Sequence, residues 1–162
     1  MLWRTHFLAG AVAGLLLAGH TDVKTTAVSA GVAGISALLP DMDDPHSKLG
    51  RLVAPASWAV KVTIGHRGPL HSLLGAGMAF ILASLFMRSG YAHLIPMVVA
   101  GYMSHLFMDS LNPQGVPWFW PLKTHLRIPL IQTGGILERL VVTPAMLVLC
   151  VWLAWTSRIL VR

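Results

Sequence analysis

Apolar residues gather in five stretches, at positions 7–18, 25–39, 70–87, 93–111 and 140–160. None alternates with period two, and each is long enough for three or more helical turns, so the pattern predicts five helices. The last three are long enough to cross a hydrocarbon core, which takes roughly 20 residues. The first two are shorter and rich in small residues: Gly10, Gly14 and Ala18, then Ala27, Gly31 and Gly34. Small faces let helices approach closely in lipid, so a tight hairpin turning over 19–24 is expected. Arg4 ahead of the first stretch, with Ala18 and Gly19 after it, also has the form of a signal peptide. His6 argues against cleavage, because it belongs to the polar pattern described below.

Two long loops, 40–69 and 112–137, carry half of the charged residues. Within the first, 49–64 mixes apolar residues with Arg51 and Lys61, as an interfacial helix would. Within the second, Pro117, Trp118, Phe119, Trp120 and Pro121 form an aromatic group suited to a membrane surface. There is no repeat and no low-complexity tract, so 1–162 reads as a single domain.

Composition sharpens the class. Of 162 residues, 55% are hydrophobic and only 11% charged, against roughly 25% charged in soluble domains. Mean hydropathy is +0.67. Such a chain cannot cover a soluble surface with solvated groups. A single cysteine, Cys150, excludes an internal disulfide. The expected fold is therefore all-α, a polytopic membrane bundle of about five apolar helices with a polar site at one face. The net charge of +6 is dispersed along the chain, which suits loops at a membrane face better than nucleic acid.

Eight histidines against six acids is an unusual balance for so apolar a chain. Successive spanning helices run antiparallel. His6, Asp41, Asp43, Asp44, His66, His71, His105, Asp109 and Glu138 therefore all fall at one end of the bundle. Asp22 is the one acid at the other end, which also receives His20 and His93. The polar end carries eight Lys and Arg: Arg4, Lys48, Arg51, Lys61, Arg67, Lys123, Arg127 and Arg139. The other end carries four: Lys24, Arg88, Arg158 and Arg162. The positive-inside rule places the polar end in the cytoplasm.

His105 and Asp109 have i, i+4 spacing, which puts imidazole and carboxylate on one helix face within reach of one ion. A hydrogen bond across one turn would use the same spacing. Within an apolar helix, however, a carboxylate is costly without a cation or partner. Asp41, Asp43 and Asp44 crowd a turn, where like charges repel unless a cation offsets them. Asp41 and Asp43 are the expected ligands. His66 and His71 flank a Gly68-Pro69 bend, with Pro69 opening a helix and Arg67 placed to fork a phosphate. Glu138 precedes the fifth helix, where helix-dipole stabilisation would explain it equally. His125 is the expected extra ligand, and His46 is unassigned. Eight candidate ligands (His6, Asp41, Asp43, His66, His71, His105, Asp109 and Glu138) exceed the four or so that one zinc-like ion takes. Two ions would use them, and a two-metal site suits phosphoester hydrolysis. Mixed N and O ligands favour Zn and also suit Mn and Fe.

The order Pro40-Asp41-x-Asp43, then His66-Arg67-Gly68-x-x-His71-Ser72, then Ser104-His105-x-x-x-Asp109 resembles the YdjM-like family of bacterial inner-membrane proteins. These are described as LexA-regulated, membrane-bound metal-dependent hydrolases. The resemblance runs from His6 to Glu138 and implies an inner-membrane hydrolase. His105, Asp109 and Pro113 are also similar to the metal helix of zinc-dependent bacterial phospholipase C and single-strand nucleases. Those enzymes place a His four residues before a Glu, where this chain has Gly134 before Glu138.

Together these readings predict a hydrolase cleaving a lipid phosphoester at the bilayer surface. Arg67 would stabilise developing charge and Asn112 would orient the headgroup. The competing readings are a metal transporter or sensor built on the same cluster, and a scaffold whose metal only ties loops together. A transporter would place its ionisable groups near the bilayer midplane.

Overall fold

The computed structural model describes residues 1–19, 22–44, 47, 50–51, 68–87, 89–122 and 124–160, the last three without side-chain detail. Five α-helices lie where the apolar stretches predict them. They are α1 (Trp3–Ala18), α2 (Val23–Ser36), α3 (Leu73–Phe86), α4 (Ile95–Ser110) and α5 (Thr143–Leu160). No strand occurs among the described residues; a single antiparallel bridge joins Val116 and Leu126. The expected interfacial helix at 49–64 lies almost wholly outside the described residues.

The hairpin of α1 and α2 is built on small residues. A Cβ on Gly10 would meet the Ala33 carbonyl oxygen at 2.5 Å, and one on Gly14 the Ser29 carbonyl oxygen at 2.5 Å. The α2 seam is therefore Ser29, Ala33 and Ala37, spaced four apart. Gly31 faces open space and Ala27 is exposed, so these two do not form the close face that their size suggested. Asp22 caps α2, accepting from the amides of Lys24 and Thr25. The other helices pack around this pair, α4 on both α1 and α2, α5 on α1, and α3 on α4.

Helix ends at the polar end are irregular. After α2 the chain tightens into a 3-10 turn, Pro40–Asp43. A second 3-10 turn, Pro69–His71, precedes α3. His71 thus sits outside the helix it was expected to open, because Ser72 takes the capping position and accepts from the Leu74 amide. Glu138 begins a π-helical turn, Glu138–Val142, that leads into α5.

Polarity is inverted relative to a water-soluble protein. Thr5, His6, Ser29, Asp43, His71, Ser72, His105, Asp109 and Glu138 are buried, while large apolar side chains on α3 and α5 face outward. That is the arrangement a lipid solvent demands. Two helical runs, Val23–Asp43 and Glu138–Ser157, have the length and hydropathy to cross a membrane; Trp3–Ala18 and Leu73–Phe86 are shorter apolar helices.

Candidate metal centre

His105 occupies the middle of the polar end. Its Nδ1 lies 2.7 Å from the Ala37 carbonyl oxygen, at the close of α2. A carbonyl only accepts, so Nδ1 carries the proton and Nε2 presents a lone pair. That lone pair faces His71 Nε2 at 3.4 Å, Asp41 Oδ1 at 3.7 Å and Asp109 Oδ2 at 3.7 Å. His71 Nε2 is 3.6 Å from Asp41 Oδ1. Asp41, His71 and His105 therefore form one donor group, and Asp109 approaches His105 in a second group with His6. Tetrahedral ligands bonded at about 2.0–2.2 Å stand about 3.3–3.6 Å apart, so the spacing within the Asp41, His71 and His105 group suits an ion of zinc's size.

The ligands are oriented by neighbours. His71 Nδ1 lies 3.3 Å from Asp43 Oδ2, which aims Nε2 at the centre. A carboxylate behind a ligating imidazole is a recurrent feature of metal sites. His6 stacks on His105, with ring centroids 3.8 Å apart. Its Nε2 lies 3.2 Å from Asp109 Oδ1, and the Met1 amino group lies 2.5 Å from the same oxygen. Two donor groups result, Asp41/His71/His105 and His6/His105/Asp109, sharing His105.

Charge in the 3-10 turns follows this geometry. Burial would depress the His71 pKa, but Asp41 and Asp43 outweigh it and raise it to about 9. Without metal, a protonated His71 can thus donate from Nε2 to the His105 lone pair. The proton stands where an ion would.

A family model described as YdjM inner membrane protein matches residues 1–161. The chain belongs to the YdjM family. Inner membrane protein YdjM of Escherichia coli (strain K12) and its namesake in Shigella flexneri are each 36% identical over 128 residues. That match covers 75% of this chain and 62% of theirs, less than two thirds of their length. Uncharacterized protein YvsG of Bacillus subtilis (strain 168) is 30% identical over 154 residues, covering 93% of this chain and 92% of its own. No solved structure matches.

Of the ligands expected from the sequence, His6, Asp41, His71, His105 and Asp109 supply the two donor groups, and Asp43 stands behind His71. His66 and Arg67 lie outside the described residues. Glu138 is fully buried, but its two oxygens accept from the Leu2 and Gly134 amides, each at 2.6 Å. It ties the chain start to the 132–135 turn. Asn112 donates to Thr133 Oγ1 and accepts from the Gln114 amide, so its amide serves the loop. His125 is exposed and belongs to neither donor group. Trp118, expected among the surface aromatics, instead donates to Ser110 Oγ at 2.7 Å and accepts from the Leu73 amide. Phe119 and Trp120 are exposed.

Sequence reading passed over Tyr102, whose hydroxyl donates to the Leu70 carbonyl at 2.5 Å and braces the turn that holds His71. Its position three residues before His105, on the same helix face, was the available signal.

Proposed function

We propose that the chain is a metal-dependent hydrolase of the bacterial inner membrane, acting on a phosphoester at the membrane surface. The observation that carries this reading is the meeting of His71 Nε2, His105 Nε2 and Asp41 Oδ1 at 3.4–3.7 Å, with the His105 lone pair fixed inward and Asp109 Oδ2 3.7 Å from the same nitrogen. A buried site of this composition is costly without a cation. His105 offers one lone pair, so only one of the two donor groups can use it at a time.

A divalent ion held there supplies Lewis acidity toward a phosphoryl oxygen and lowers the pKa of water. The side chains of this chain do the rest. Asp43 fixes the His71 ring, the Ala37 carbonyl fixes that of His105, and His6 holds Asp109. Arg4 and Arg139 border a cavity of about 460 Å³ beside Leu2 and Thr143, at the same end. Their charge favours an anionic substrate.

In this reading all five helices enter the membrane, with the cluster at the cytoplasmic headgroup level. Both donor groups lie at one end of the bundle, which favours surface chemistry over transport across the bilayer.

The test is phosphate release from a panel of lipid phosphates by purified protein, with metal analysis alongside. Parent protein should bind about one ion per chain and lose turnover on chelation. Asp109→Asn keeps the side-chain shape but removes the charge; it should lose at least about tenfold in metal affinity and in turnover. An Asp109→Asn variant with parental metal content would reject the centre. Turnover that survives chelation would reject the metal-dependent chemistry.

A further inference from the structure

One cavity, of about 500 Å³, runs between the end of α2, α3 and α4. On α3 its wall is a single stripe at helical spacing, from Gly75 through Met78 and Leu82 to Phe86. Among the described residues no charged side chain lines it. Its polar lining is Ser36 and Tyr102, and the Tyr102 hydroxyl already donates to Leu70.

One end of this groove adjoins the donor cluster. Met42, between Asp41 and Asp43, lines it, as do Leu70, beside His71, and Tyr102, one turn before His105. From Gly75 to Phe86 the wall is about 16 Å long at about 1.5 Å per residue. A hydrocarbon core is about 30 Å thick, so the groove is about one leaflet deep. The volume lies within the range of about 300–1,000 Å³ usual for small-ligand sites.

We infer that this groove holds one acyl chain of a membrane lipid phosphate, with its headgroup at the His71–His105 end. The inference rests on the hydrolytic reading and narrows its substrate to a lipid engaged from within one leaflet. Met42, Met78 and Met87 give the groove adaptable walls, so it selects for an apolar chain more than for its exact length.

The experiment uses the full chain, metal-loaded, in phosphatidylcholine vesicles containing phosphatidic acid with a photoactivatable diazirine near the end of one acyl chain. Adducts are mapped by mass spectrometry. They should concentrate on Met78, Leu82 and Phe86. Leu82→Trp places bulk in the groove at a half-exposed position and should cut this labelling at least tenfold. Leu85→Trp, one turn further on and outside the groove, should leave labelling at the parental level. Ala79→Leu, a smaller obstruction, should reduce labelling if Leu82→Trp fails to fold, as judged by metal content. Labelling spread evenly over Leu85, Val148 and Trp152, or unaffected by both groove variants, overturns the inference. Release of phosphate from a short-chain, water-soluble phosphoester is measured in parallel. If that persists while labelling is even, the hydrolytic reading stands and the groove proposal falls. If labelling is concentrated and no phosphoester is cleaved, the groove binds lipid and the hydrolytic reading falls.

Discussion

At the scale of single residues, the centre is a contest between a proton and a metal. His71 is flanked by Asp43 at Nδ1 and by Asp41 at Nε2, 3.3 and 3.6 Å away. Its pKa near 9, against an ordinary 6.5, means that the chelated protein keeps an imidazolium between two carboxylates at neutral pH. A raised folded-state pKa gives stability that is complete below 6.5 and disappears as pH rises through about 9. The difference corresponds to about 3 kcal/mol. Chelated protein in detergent should therefore melt at higher temperature at pH 6 than at pH 9.5. Metal requires the neutral ring, so uptake should release about one proton per ion at pH 7 and about none at pH 10. A pH-indicator titration with zinc reads this directly. No proton release at pH 7 would mean that His71 Nε2 is not a ligand. The donors themselves were legible in the sequence, because buried acids and imidazoles stand out in an apolar chain. Their orienters were not. The Ala37 carbonyl that fixes His105 is backbone and has no signature, and nothing in a run of three aspartates distinguishes Asp41, which faces the centre, from Asp43, which stands behind His71.

At the scale of elements, the site depends on how closely α1 and α2 approach, because α1 brings His6 and the turn after α2 brings Asp41. The close seam is Gly10 and Gly14 against Ser29, Ala33 and Ala37. Adding a methyl at Gly10 places it 2.5 Å from a backbone oxygen that cannot move away alone. Gly10→Ala should cost about 1–3 kcal/mol through overpacking and should weaken metal binding as α1 shifts. Gly31→Ala, facing open space on α2, should be neutral or gain about 0.5–1 kcal/mol from helix propensity. Thermal melts of the two variants beside the parent decide the matter; equal destabilisation by both would mean that the seam lies elsewhere. The presence of the five helices was legible, since hydropathy alone marks them. The seam was misread in part because small size was taken without spacing: Gly31 and Ala27 are small but off the i, i+4 row that contains Ser29 and Ala33. The 3-10 turn holding His71 and the π turn at Glu138 answer to local hydrogen bonds, those of Ser72 and of the Leu2 and Gly134 amides, and periodicity does not register them.

At the scale of the whole molecule, an apolar exterior surrounds a polar cluster that is confined to one end, and that asymmetry makes orientation a functional question. By sequence, eight of the 12 Lys and Arg are expected at the cluster end, and the positive-inside rule would place that end in the cytoplasm. Charge at this end has a second explanation, because Arg4 and Arg139 also border a cavity beside the site. The two explanations separate in a labelling experiment. Gln132 is exposed in the loop before α5, at the cluster end, and Tyr91 is exposed in the turn between α3 and α4, at the other end. Single cysteines at these positions, with Cys150 replaced by alanine, are treated in intact spheroplasts with a membrane-impermeant maleimide. Tyr91→Cys should label at once, and Gln132→Cys only after permeabilisation. If Gln132→Cys labels first, the basic residues serve substrate rather than topology. The centre would then face the periplasm, and its lipid would come from the outer leaflet of the inner membrane. A groove one leaflet deep makes that distinction consequential, because the leaflet that contains the cluster end is the one from which a chain can enter.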